Sequence, residues 1–300
     1  MVKILEIKKL RKELNVLLEE NNSTVLESDI DLEKKSSGLD ISYVNDIFYE
    51  DYFSKISNSY FRDLEEDTEI KLKGTGNINL IIKNDLRLVL RLLDSSFLNI
   101  NIFIWPGVSL DLYEISKSSQ LNKNLFFHQS ENSEVNYYQA LFSSKFNSTS
   151  SYLKENSKFN AISGYYIDKD NCYHNIKSIH LSPNSKSDIK INGSVKGGAS
   201  VVSDGLVNIR FDSENSEGYQ KLYGLILDQD SKISSEPILE IENNNVKCSH
   251  GASISQISNE LKFYLKSRGI KEEQINSLVV QGFFGNFMKD YYEDICSYLN

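Results

Sequence analysis

The sequence has few cysteines, and this scarcity limits the class of protein it can encode. Its 300 residues contain three cysteines, three prolines and one tryptophan. An odd number of widely spaced cysteines does not form the disulfide framework of a small secreted domain. Free thiols are instead typical of a reducing compartment, so we expect a cytoplasmic protein.

The sequence also lacks an excess of basic residues and a long apolar segment. Its net charge is −9, whereas nucleic-acid binders and anionic-membrane binders carry basic surfaces. No apolar run approaches the ~20 residues that span a bilayer. The N-terminal stretch MVKILEIKKLRKEL interrupts its apolar residues with charges, which excludes a signal-peptide core. We therefore expect neither a nucleic acid nor a membrane as partner.

The N-terminal part has helical periodicity. Apolar residues from Ile4 to Leu18 recur at helical spacing and predict a helix over residues 3–20. A polar stretch at 27–40 is typical of a loop. Aromatic and aliphatic residues at mixed helical spacing predict a second helical region over 41–66.

The periodicity changes to two near residue 68, which indicates half-buried strands. Alternation continues through the central part of the chain without a strong helical segment, so an all-β domain is predicted. The Ser- and Asn-rich stretch 115–160 is interpreted as a possible loop excursion. No repeat of fixed length is evident, and the pattern leaves sandwich, barrel and β-helix open. After the alternating runs 70–82 and 86–92, the predicted strands are 98–105, 109–114, 161–167, 176–181, 187–193, 199–202, 206–211, 222–227 and 238–242.

Two helices are predicted after residue 250. The Ser253-x-x-Gln256 pattern resembles a capping box, and Arg268-Gly269 is a helix-ending signal. A second helix is predicted from Lys271 onward. Its apolar stripe is rich in Phe and Tyr, which suit either a core or a docking face.

One short motif suggests metal chemistry. Cys248 and His250 are two residues apart, so on a strand their side chains point to the same side. A thiolate and an imidazole together suit iron or zinc. The alternative is a buried cysteine beside a structural histidine, because a metal site needs further ligands. Cys172 and His174 repeat the C-x-H spacing, but the two pairs match no zinc-finger pattern.

Other candidate motifs are better explained by structure. Gly74-x-Gly76 lacks the third glycine of a dinucleotide loop and is interpreted as a turn. Glu240 and Glu242 lie on one strand face and receive no catalytic role. Trp105 precedes Pro-Gly and is interpreted as a core or corner aromatic.

The C-terminal part resembles a known family, the SufB/SufD iron–sulfur cluster assembly proteins. The resemblance rests on VKCSHGAS (246–253), FYLKSRGI (263–270) and VVQGFF (279–284). It extends more weakly over 178–209 and 216–241. It implies a right-handed parallel β-helix flanked by helical regions, that is, a mainly β fold. The domains expected on this basis are 1–67 (N-terminal helical region), 68–247 (β-helix core) and 248–300 (C-terminal helical, ATPase-docking region).

The resemblance also implies partners. Members pair through their β-helices and bind the ABC ATPase SufC through the C-terminal helices. His250 matches a histidine implicated at the SufB–SufD interface, and Cys248 matches a nearby cysteine, so both are candidate ligands of a transient iron–sulfur cluster shared at an interface. The candidate partner-binding residues are Leu261, Tyr264, Leu265, Phe283, Phe284, Phe287 and Tyr291.

Two departures bear on which member the chain resembles. Near Ser231 there is no cysteine where SufB proteins commonly carry a reactive one, and Gly251 stands where they have glutamate. Both favour a SufD-like form, although a SufB-like member of a minimal, homodimeric system also fits. We therefore expect a non-enzymatic scaffold that pairs with a SufB-like chain or with itself. A purely structural arm and a β-helix carbohydrate enzyme are the alternatives, and no cluster of acids or bases supports the latter.

Overall fold

The computed structural model describes residues 59–117 and 120–284, together with two short strands before them. The predicted helix over 3–20, most of 41–66 and the chain after residue 284, with Phe287 and Tyr291, lie outside the described residues. The strands are β1 Glu27–Ser28, β2 Glu33–Lys34, β3 Ser59–Leu64, β4 Thr68–Ile82, β5 Leu86–Ile104, β6 Ser109–Ser116, β7 Asn122–Gln129, β8 Glu134–Leu141, β9 Phe146–Leu153, β10 Lys158–Asp168, β11 Asn171–His180, β12 Lys186–Lys196, β13 Ser200–Ile209, β14 Glu217–Ile226, β15 Lys232–Ile241 and β16 Lys247–Gln256. Two helices follow, α1 Asn259–Ser267 and α2 Glu272–Phe284.

The strands form a parallel β-solenoid. Odd-numbered strands from β5 to β15 stack as one parallel sheet, and even-numbered strands from β6 to β16 stack as a second. The long strand β5 joins the two sheets: residues 86–92 pair with β6 and residues 97–104 pair with β7. From β5 to β15 the chain makes about six turns. The mainly β solenoid is thereby confirmed.

Three predicted segments have a different structure. Residues 115–160 contain β7, β8 and β9 and are not a loop excursion. The Ser and Asn side chains of β7 and β9 are buried, as is every other residue of these two strands. Residues 59–64, predicted to be helical, pair in parallel with β4. β1 and β2 lie within the predicted loop over 27–40.

A corner motif repeats in every turn from β8 to β14, although its spacing varies. The motif is E/P-N-S-E/K, with its asparagine at Asn132, Asn156, Asn184 and Asn215. Each of these asparagines has φ between 57° and 59°, a left-handed conformation that Asn tolerates better than most residues. Equivalent positions are 24 residues apart at one step, Glu134 to Lys158, and 31 at another, Lys186 to Glu217. Because the spacing varies, the sequence shows no repeat of fixed length.

The interior contains a buried ion pair within a polar network. Lys123 Nζ lies 2.5 Å from Glu114 Oε2, and both side chains are fully buried. Tyr137 Oη, Gln139 Nε2 and Ser116 Oγ also donate to the Glu114 carboxylate, at 2.8, 3.0 and 2.8 Å. Burial alone would raise the pKa of Glu114, but Lys123, Gln139 and Tyr137 hold it below its ordinary value. The carboxylate is therefore ionised inside the solenoid.

The second C-x-H pair lies in this interior and has no free ligand position. His174 Nε2 lies 2.9 Å from Gln139 Oε1 and 3.0 Å from Ser163 Oγ, and burial lowers its pKa to about 3. Burial raises the pKa of the Cys172 thiol far above its ordinary value. A protonated thiol and a hydrogen-bonded neutral imidazole make this pair structural.

The two helices end the described chain. Ser258 is the N-cap of α1 and accepts from Leu261 N at 3.1 Å. The predicted capping box is wrong, because Ser253 and Gln256 lie in β16, whose ladder with β14 continues to Gln256. The predicted stop is confirmed: Arg268 is the C-cap of α1 and Gly269 has φ 85°. No helix among the described residues has the length and apolar character needed to cross a bilayer.

Candidate functional site at the open end of the solenoid

The last turn of the solenoid, β15 with β16, leaves both sheets open. Among the described strands, β16 pairs only with β14, and β15 pairs only with β13. Lys247 N donates to Ser216 O and Ile257 N to Ile226 O, so odd-numbered residues of β16 face β14. In a parallel ladder the alternate residues direct their backbone N–H and C=O groups to the other side. Five residues of β16 therefore present backbone groups at the free edge: Cys248, His250, Ala252, Ile254 and Gln256.

The free edge of β15 is interrupted. Lys232 N donates to Ala199 O and Glu242 N to Ile209 O, so the even-numbered residues face β13. Pro237 consequently lies among the residues that face the free edge, and it has no N–H to donate. Proline is a common device for blocking an exposed strand edge. β16 contains no proline and is the less protected of the two edges.

Cys248 and His250 lie at this end, on the inner side of the even-numbered sheet. Their register partners are Gly218 and Gln220 of β14, and Gln220 is buried in the interior. Cys248 is half-buried and packs against the main core, whereas His250 is exposed. Burial raises the pKa of the Cys248 thiol, partly opposed by a hydrogen bond from the Gly218 backbone. The thiol is thus protonated at neutral pH and must lose a proton to bind a metal.

The last turn also exposes three isoleucines and carries two acidic residues at the end of β15. Ile238, Ile241 and Ile254 are 38%, 45% and 43% exposed. Glu240 accepts a hydrogen bond from Asn208 Nδ2 at 2.6 Å, and Glu242 pairs with Arg210 at 3.1 Å. Both carboxylates thus contact side chains of the preceding turn. Exposed isoleucines on the last strands of a solenoid are candidates for an interaction surface.

Ser231 lies at the other corner of the last turn. It is buried before β15, and its Oγ accepts from Gly198 N at 3.0 Å. Cys248 follows the opposite end of β15, a strand of 10 residues, so the two are separated by roughly 30 Å at ~3.3 Å per residue. A ligand at position 231 would therefore not join Cys248 and His250 in one site of the same chain.

The helical segment carries a second exposed apolar surface. Leu261 and Tyr264, both predicted to bind a partner, are 40% and 52% exposed. Phe263, which is not among the predicted partner-binding residues, is 75% exposed. Only its size and its position on a short polar helix distinguish it in the sequence. Leu265 is half-buried.

The predicted partner contacts on α2 are instead used within the chain. Phe284 is only 5% exposed and packs in a cluster with Leu225, Leu227 and Val280, against which Phe283 also packs. A partner cannot reach Phe284 while α2 keeps this position. Without a partner, Phe284 therefore packs against the chain's own solenoid, and its role in docking stays a prediction.

The Cys248–His250 pair is incomplete as a metal site. Within the described part of the chain, no group of three or more His, Cys, Asp or Glu side chains is placed to hold a metal ion. Zinc sites usually have four ligands, and iron–sulfur clusters are usually held by four. The described residues alone therefore do not complete a metal or cluster site at this end.

These features define a parallel β-solenoid whose last described strands have a free edge and are followed by two short helices. The family model "SUF system FeS cluster assembly, SufBD core domain" matches residues 98–283, more than half of the chain. The chain therefore belongs to the SufBD family, and the resemblance seen in the sequence is confirmed.

Curated relatives agree with this assignment. The chain is 37% identical over 114 residues to the iron–sulfur cluster assembly protein SufB of Bacillus subtilis. It is 36% identical over 114 residues to a SufBD family protein of Staphylococcus saprophyticus. Each match covers 38% of this chain and 24% of the relative. The aligned stretch thus spans about a quarter of these relatives.

Proposed function

We propose that this protein is a non-enzymatic, cytosolic scaffold subunit of a Suf-type iron–sulfur cluster assembly complex. The open end of the solenoid is the observation that carries the proposal. Family membership supports the assembly role, and the exposed edge of β16 supports a partner that completes the structure. We also propose a right-handed winding, because parallel strands in one sheet are almost always connected by right-handed crossovers.

The partner joins end to end through β16. Its five edge-facing residues offer backbone donors and acceptors to an added strand, as in other cases of strand addition. Small side chains at Ser249, Gly251 and Ala252 let another backbone approach closely. Burial of Ile241 and Ile254 by the partner adds roughly 25 cal/mol per Å² of apolar surface removed from water. The partner is a SufB-like chain or a second copy of this one.

The nascent cluster is the cargo at this junction. Cys248 and His250 contribute a thiolate and an imidazole from one strand face, and both can bind iron in iron–sulfur proteins. Closure by the partner buries the pair and supplies the missing ligands. The SufC-like ATPase binds the exposed surface of α1, formed by Leu261, Phe263 and Tyr264.

Anaerobic cluster reconstitution tests the role of the pair. The full-length chain is combined with its ATPase and SufB-like partner, and the wild type is compared with Cys248→Ala and His250→Ala. We expect both variants to lose most cluster absorbance while the complex keeps its mass. Ser249→Ala is the matched control, because Ser249 is exposed on the opposite face of the same strand. Unchanged absorbance in both variants would refute the ligand role.

The alternative function is a structural arm in which the partner supplies every ligand. The packing of Cys248 against the core favours it. In that case the complex forms, iron binds, and neither substitution changes the cluster spectrum.

A further inference from the structure

The contact between α2 and the solenoid includes one aromatic ring that lies in a notch of the sheet. Phe284 lies against Gly164 of β10, and a Cβ placed on Gly164 would be 2.7 Å from the Phe284 ring. Real Cβ atoms essentially never come this close to another heavy atom. The absence of a side chain at Gly164 is thus what lets α2 approach the outer face of the even-numbered sheet.

The surface under this contact contains buried polar atoms whose hydrogen-bonding capacity is not satisfied. Gly164 is in register with Asn192 of β12, and Ser194 lies in register between Tyr166 and Leu225. Tyr166 and Leu225 both belong to the apolar packing around α2. Asn192 Oδ1 and Ser194 Oγ are buried, and neither has a hydrogen-bond partner among the described residues. Buried polar groups normally find partners, and an unsatisfied one opposes the arrangement that buries it.

The geometry points to α1 and α2 as a releasable strap. In the docked position the apolar contacts of Phe284 and Val280 are opposed by the two unpaired polar atoms. When the strap leaves the sheet, water reaches Asn192 and Ser194, so release regains hydrogen bonds as it loses apolar contact. The strap is therefore poised between two positions, and it carries the exposed surface of α1.

The inference rests on the proposed function only in assigning the surface of α1 to the ATPase. Under that assignment, binding of the ATPase to a displaced strap would transmit force to the sheet that ends in β16. Docking and release themselves are properties of the isolated chain.

Amide hydrogen exchange of the full chain, measured without partners, tests the strap. Exchange in 275–283 reports the opening of α2 relative to the solenoid. Ser194→Ala removes one unsatisfied hydroxyl, so we expect exchange to slow about tenfold, equivalent to about 1.4 kcal/mol. Gly164→Ala places a methyl group against the Phe284 ring, so we expect exchange to accelerate at least about tenfold.

Two control variants make the same types of change, Ser to Ala and Gly to Ala, elsewhere on the sheet. Ser253→Ala and Gly251→Ala lie on exposed β16, and a Cβ on Gly251 would contact nothing within 4 Å. Neither should change exchange in α2. If Gly164→Ala perturbs the strands themselves, Phe284→Ala removes the ring and leaves β10 intact, and it should also accelerate exchange.

Unchanged or faster exchange in Ser194→Ala would overturn the inference, as would unchanged exchange in Phe284→Ala. Because neither ATPase nor iron is present, these outcomes are separate from the cluster reconstitution. A chain that fails to assemble a cluster can still show the expected changes in hydrogen exchange. A chain that assembles a cluster can equally fail to show them.

Discussion

Removal of Lys123 should destabilise the protein strongly, because it leaves a buried carboxylate without its cation. Lys123→Met keeps most of the side-chain volume but leaves Glu114 fully buried, with only neutral donors. Breaking a buried pair by removing one partner typically costs ~3–5 kcal/mol. We expect a loss of that size in the free energy of unfolding at pH 7, measured by urea denaturation and circular dichroism.

The pH dependence distinguishes an electrostatic cause from a packing defect. In the wild type the pKa of Glu114 is lowered, so its contribution to stability is present at neutral pH and is lost as pH falls below the ordinary value of about 4.5. Without Lys123, burial raises the pKa of this carboxyl. The cost of keeping the buried group in the folded state then grows as pH rises from the ordinary value toward that raised pKa. The stability gap between wild type and variant should therefore narrow toward acid pH.

A double variant and a surface pair provide controls. Glu114→Gln combined with Lys123→Met removes both charges and should recover most of the loss, since neutral replacement of a buried pair is often tolerated. Lys158 and Glu134 form a surface pair at 3.2 Å, and Lys158→Met should cost less than about 1 kcal/mol. A loss below about 1 kcal/mol for Lys123→Met, independent of pH, would refute the reasoning.

Two further predictions concern the interior. Burial lowers the pKa of His128 and His174 to about 3 and that of His180 to about 4, so all three should stay neutral from pH 8 to 5 by NMR. Since the unfolded chain binds these protons near pH 6.5, stability should fall as pH decreases below that value; imidazole titration near neutrality would contradict their burial. Gly193→Ala would place a Cβ 1.7 Å from Tyr165 Cζ, so we expect a loss of about 1–3 kcal/mol or more in thermal or urea unfolding, whereas an unchanged midpoint would show that Tyr165 has room to move.

The central fold was predictable where side chains alternate, and not where both faces are buried. β12 keeps polar residues outside and apolar residues inside at its start, and this pattern predicts a strand. In β7 and β9 both faces are buried, so Asn124, Ser148 and Ser150 lie in inaccessible positions and the segment reads as a polar loop. Local polarity cannot show that neighbouring turns cover a strand on both sides.

The candidate site was predictable in its residues and not in its surroundings. The spacing of Cys248 and His250 predicts a shared strand face, and the register places both beside β14. The free edge of β16 and the blocking role of Pro237 depend on which strands come last in each sheet. The same is true of Phe284, because an aromatic stripe looks alike whether it faces a partner or the chain's own sheet.

The sequence by itself determined the period-two core, the helical C-terminal segment, the C-x-H pair and the SufBD family, since these depend on residue type and local spacing. Tertiary structure alone decided which of these features meet. Stacking of turns of unequal length brings Lys123 to Glu114, removes Cys172 and His174 from metal chemistry, and leaves Cys248 and His250 at an open end. The physical reason is that register between turns, set by corners of variable length, fixes each side chain's neighbours.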